Sequence, residues 1–169
     1  MSIQSANRAV DYNKVTTRSR SAIAQVALYL GALAILATGV VHIQQYYGND
    51  YSTVPTIGTL FFLNFVSALV ITVGLVAPLR RVAGRYADVI RALFAVGGIV
   101  FAVLSLAALF ISESSSGLFS FQEHGYRPAI TIAIVAEAAA ACLLAIFLVA
   151  DTTGMQSLRS HRLPQRSTP

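Results

Sequence analysis

Apolar residues in this chain do not recur with the period of a half-buried surface helix. They run in four long, nearly uncharged blocks: about Ala22 to Ile43, Ile57 to Ala77, Val89 to Ile111, and Ile130 to Ala150. Each block is close to the roughly 20 apolar residues that a helix needs to cross hydrocarbon, where no water is present to pair with exposed backbone groups. The pattern predicts an all-α transmembrane four-helix bundle over residues 22–151, with spans at 22–43, 57–77, 89–111 and 130–150 and polar, basic, mobile tails at 1–21 and 152–169. The two longer connections, Gln44 to Thr56 and Ser112 to Ala129, are too short for a separate folded module, so the chain is one domain.

Composition agrees with the blocks. With 56% hydrophobic and 11% charged residues and a mean hydropathy of +0.67, the chain holds more apolar surface than a soluble domain of 169 residues can bury. The first block has basic residues before it, as a secretory signal does, but it runs too long and lacks a small-residue cleavage site, which marks it as a retained span. A lone cysteine, Cys142, sits inside the fourth block and rules out an intrachain disulfide or a CxxC pair, and with them thiol redox chemistry.

The net charge of +5 would suggest nucleic acid if the basic residues shared a face, but they lie in clusters between the blocks. Arg8, Lys14, Arg18 and Arg20 precede the first span; Arg80, Arg81, Arg85 and Arg91 lie around the second connection; Arg159, Arg162 and Arg166 follow the fourth span. Only Arg127 falls on the opposite side, and this bias places both termini in the cytoplasm of a plasma-membrane protein whose surroundings are the lipid bilayer, with no nucleic-acid partner. Tyr46, Tyr47, Tyr51 and Tyr126 then fall at the outer helix ends as interface anchors, and Leu118, Phe119 and Phe121 make the second outer connection apolar enough to fold back onto the bundle.

The second and fourth blocks align without gaps: Pro55 is followed nine residues later by Asn64, Pro128 nine later by Glu137, and Leu75-Val76-Ala77 matches Leu148-Val149-Ala150. The match suggests two helical hairpins repeated about an axis along the membrane normal. It also sets Asn64 and Glu137 at one depth, roughly 13 Å in from their prolines at the helical rise of about 1.5 Å per residue.

Glu137 is the most informative side chain, because a carboxylate at that depth costs several kcal/mol unless it is protonated, paired or facing water. Ala133, Ala140 and Ala141 lie one turn from it and make a smooth face for a neighbouring helix. Structurally, it reads as a neutral acid joined to Asn64 or to a backbone carbonyl, locking two helices. Functionally, it reads as a proton or cation site, in a small proton-coupled transporter.

His42 shares a face with Gly31, Ile35, Thr38 and Gly39 and packs inward beside Tyr46 or Tyr47; with His124 and Glu123, and with Glu113 and Asp50 nearby, it forms a candidate outer-face site for a metal or haem. No HxxxH or CxxC spacing supports that chemistry, and no metal or cofactor is expected. The basic segment reads as a lipid-headgroup contact with an Asp88–Arg91 pair, and Gly97, Gly98, Ala102 and Ser105 read as a packing face.

Val54-Pro55-Thr56-Ile57-Gly58-Thr59-Leu60-Phe61-Phe62-Leu63-Asn64, with Val41-His42, Ile111-Ser112-Glu113 and Glu123-His124-Gly125-Tyr126-Arg127, resembles strings in a group of uncharacterised small four-span membrane proteins of actinobacteria. The resemblance covers the four spans, implies a plasma-membrane protein and carries over no catalytic residue. The expectation from all these signals is a non-enzymatic structural or interaction subunit of a membrane complex or homo-oligomer, with the transporter and the outer-face metal or haem binder as its alternatives.

Overall fold

The computed structural model describes residues 3–114, 117–119 and 128–160, with side chains over 22–114, 117–119 and 128–152. Four long helices carry the fold: α1 (Ile3–Gly48), α2 (Ile57–Val76), α4 (Ala87–Glu113) and α5 (Pro128–Ser160), with a one-turn α3 (Leu79–Ala83) before α4. All four are long and apolar enough to cross a membrane, over Ala22–Gly48, Ile57–Val76, Leu79–Glu113 and Pro128–Thr152. No β-strand occurs among the described residues.

The helix ends have local causes. Pro128 is the first residue of α5, where its missing N–H has no intrahelical partner to lose and its fixed φ suits the first turn. At the other end of α2, Pro78 forces Ala77 out of the helical region to ψ 148°, and the chain reverses through α3 and Gly84, which takes φ 51°. Helix α1 runs on to Gly48, five residues beyond the expected end, because Gln44 to Tyr47 continue the helix as a polar, aromatic last turn. Backbone helix also extends through the polar segments from Ile3 and to Ser160.

The short link from α1 to α2 is tightly wound. Asp50 and Thr56 both have positive φ, 55° and 67°, and Ile57 N–H bonds to Pro55 O at 2.7 Å around Thr56, the strained form of a three-residue turn. Gly58 follows because a Cβ there would lie 2.5 Å from Tyr51 O. This winding turns Tyr51 inward, and it is 6% exposed.

Helix α1 packs against α2 and α5, and α4 packs against α2 and α5, so α2 and α5 stand diagonally across the bundle. Small residues set the spacing: Ala32, Ala68, Ala95, Ala102 and Ala140 are buried, and Gly31 and Gly98 leave room for Leu144 from both sides. With Ile35 and Leu75 they form a dense core in the half of the bundle nearer the Arg80–Arg91 connection, the basic end. The outward faces are apolar instead, with Leu33, Leu93, Val135 and Val149 all above 60% exposed. That inversion is what lipid, and not water, makes stable, and the protein is a multi-pass membrane protein.

Candidate functional site

The opposite, distal half of the bundle is built differently. Here the four helices splay around a cavity of about 320 Å³, which reaches from Tyr51 and Leu118 at the loops down to Glu137. Its walls are largely apolar, with Leu60, Phe61, Leu104 and Ala133 among them. The α2–α4 interface is the thinnest of the four.

The floor is a chain of hydrogen bonds from three helices. Asn64 Nδ2 on α2 donates to Ser105 Oγ on α4 at 3.1 Å, and Ser105 Oγ donates to Glu137 Oε1 on α5 at 2.5 Å. Glu137 is 1% exposed and flanked by buried Ala133, Ala136 and Ala140. Asn64 Oδ1 is buried, and no described residue donates to it.

Asn64 and Glu137 do come to one place, but they do not bond directly. Their helices are diagonal neighbours, so the side chain that reaches both comes from α4, between them. Ser105, read from sequence as a packing position, is therefore the centre of the site. Its signal was present: apart from Arg91, it is the one polar side chain in the third apolar block.

His42 lines the same cavity from α1. Its Nδ1 donates to Thr38 O at 2.9 Å, and its ring lies 5.0 Å from that of Phe61, which in turn stacks on Tyr51 at 4.8 Å and 14°. The histidine is thus held by its own helix and by Phe61, and not by Tyr46 or Tyr47, which pack on each other. With Nδ1 donating, Nε2 of the neutral ring is left to accept. Tyr51 is a wall residue and not an interface anchor, whereas Tyr47 is 70% exposed at the helix end.

His124 and Glu123, the other candidates for a metal or haem site, lie outside the described residues, as do Phe121, Tyr126 and Arg127. Among the described residues no three His, Cys, Asp or Glu side chains gather in a group that could hold a metal. Leu118 folds onto the cavity, while Phe119 is exposed.

At the basic end, Asp88 pairs with Arg80 at 3.7 Å, and not with Arg91. Arg91 Nη2 instead donates to Ala77 O at 3.3 Å, where α2 stops and that carbonyl also accepts the Leu79 N–H at 2.8 Å. Gly98 is a packing position against Leu144, but a Cβ on Gly97 would meet nothing.

Neither protein-family models, nor curated proteins, nor solved structures match the chain.

Proposed function

We propose that the protein is a membrane-embedded binding protein for a small, largely apolar molecule with one polar end, which enters the distal cavity and rests that end on Asn64, Ser105 and Glu137. The observation that carries this reading is a cavity of about 320 Å³ in the distal half, largely apolar on its walls, with Asn64, Ser105 and Glu137 converging at its floor. That combination of size and lining is the ordinary form of a small-molecule site. A helix-joining role for Glu137 accounts for its bond to Ser105, but it leaves unexplained why a cavity lies above it and why Asn64 Oδ1 has no donor among the described residues.

The expected structural or interaction subunit is the second reading, favoured by the Asn64–Ser105–Glu137 chain tying three helices. Under it, Glu137→Gln keeps folding and association with a second copy or a partner subunit while no small molecule binds. Proton-coupled transport is an extension of the binding reading, in which Glu137 exchanges a proton for the guest. Both readings are non-catalytic and belong to a plasma-membrane protein with cytoplasmic termini, supported by the eleven-to-one distribution of basic residues.

The test is equilibrium dialysis of purified protein in lipid nanodiscs against 4-phenylbutanol, with protein-free nanodiscs as the blank. Saturable one-to-one uptake that disappears in Ala133→Phe, which fills the cavity one turn above Glu137, is the expected result. Uptake no greater than that of the blank, for this alcohol and for its amine counterpart 4-phenylbutylamine alike, returns the protein to the structural reading.

A further inference from the structure

The direction of each hydrogen bond in the floor restricts what the cavity can recognise. Asn64 spends an N–H on Ser105, and Ser105 spends its only hydrogen on Glu137. Among the described groups at the floor, the capacity left over is mainly for accepting: Asn64 Oδ1, buried and without a described donor, the second carboxyl oxygen of Glu137, and Nε2 of His42 above them, since Nδ1 is committed to Thr38 O, against the one remaining N–H of Asn64 Nδ2. Among the described residues no Lys or Arg lines the cavity to serve the carboxylate as a counter-ion.

We infer that the guest is a lipophilic primary or secondary amine bound as its ammonium ion, whose N–H groups fill Asn64 Oδ1 and Glu137 while its apolar body lies along Phe61, Leu60 and Leu104. This rests on the binding reading above and names the class of molecule. An alkylammonium carries several N–H donors in one small head, which matches converging acceptors better than the single O–H of an alcohol. It also brings the positive charge that a carboxylate in an apolar site otherwise lacks. A carboxylate or phosphate head would set acceptor against acceptor. If Glu137 holds a proton beforehand, the ammonium replaces it and one proton leaves for each amine bound.

Three probes with one body separate the possibilities in nanodisc dialysis: 4-phenylbutylamine, 4-phenylbutanol, and 4-phenylbutyltrimethylammonium, which has the charge but no N–H. The amine is expected to bind at least about tenfold tighter than the other two, the margin expected of charge-assisted hydrogen bonds. Glu137→Gln is expected to bring the amine down to the level of the alcohol. Asn64→Leu, which leaves the acid in place, is expected to weaken the amine severalfold and the alcohol little, and it stands in if Glu137→Gln does not fold. Equal affinity for all three probes overturns the amine assignment and leaves the binding reading standing. Quaternary and primary ammonium binding alike overturns it too, since charge alone would then be recognised. Saturable binding of none of them removes the binding reading itself, and the inference with it.

Discussion

Ser105 is one hydroxyl on which two other side chains depend, accepting from Asn64 and donating to Glu137. Ser105→Ala strands a buried amide and a buried carboxyl at once, and it is expected to cost about 1–3 kcal/mol, read as a lower midpoint in denaturant titration of the micellar protein. Ser105→Thr keeps the hydroxyl and should recover most of that loss. Glycines give a contrast that depends on surroundings alone. Gly58→Ala drives a Cβ to 2.5 Å from Tyr51 O and is expected to destabilise by about 1–3 kcal/mol, whereas Gly97→Ala meets nothing and is expected to be neutral or to gain up to about 1 kcal/mol in the same titration. Glu137 and Asn64 were legible in the sequence because an acid and an amide inside an apolar block cost free energy that something must offset. Ser105 gave a weaker signal: it stands out as a polar side chain in the third apolar block, but a serine hydroxyl in a helix ordinarily satisfies itself on a carbonyl one turn back, so its position alone does not mark a site.

At the scale of helices, the α1–α5 and α4–α5 contacts meet at Leu144, fully buried between Gly31 and Gly98. Leu144→Ala opens a void among three helices, and the expected cost is about 2–5 kcal/mol; Val149→Ala, on the lipid-facing side of the same helix, is expected to cost under about 1 kcal/mol, both measured by denaturant titration. Helix existence was plain from the apolar blocks, and boundaries came within a few residues where proline sets them, as at Pro78 and Pro128. The end of α1 was missed by five residues because Gln44, Gln45, Tyr46 and Tyr47 are polar enough to look like a loop yet keep the helical hydrogen bonds. The inward turn of Tyr51 was invisible for a different reason. It depends on positive φ at Asp50 and Thr56, neither a glycine, so no residue type signalled it.

For the whole molecule, the outward faces are apolar on every long helix, and the dense core and the cavity divide the bundle into two halves. Cys142 lies exposed on α5 within the apolar band. A membrane-impermeant maleimide should leave it unlabelled in intact membranes and react with it after denaturation; rapid labelling in intact membranes would place water where lipid is expected. With Cys142 replaced by Ala, cysteines introduced at Ser5 and Ser167 should react with that reagent only after the cytoplasmic face is opened, in keeping with the distribution of basic residues.

Hydropathy alone determined that this chain forms four long apolar helices, roughly where their apolar spans lie and that lipid suits their outer faces, because an unpaired backbone group in hydrocarbon is so costly that a long apolar run has only one way to cross. Charge placement added an expected orientation. Tertiary structure decided the rest: that α2 and α5 are diagonal, that Ser105 stands between Asn64 and Glu137, that His42 turns to its own helix for a partner, and that the distal half stays open. These depend on how closely each pair of helices approaches through its alanines and glycines, a property of matched surfaces on different elements that is not written in any one apolar block.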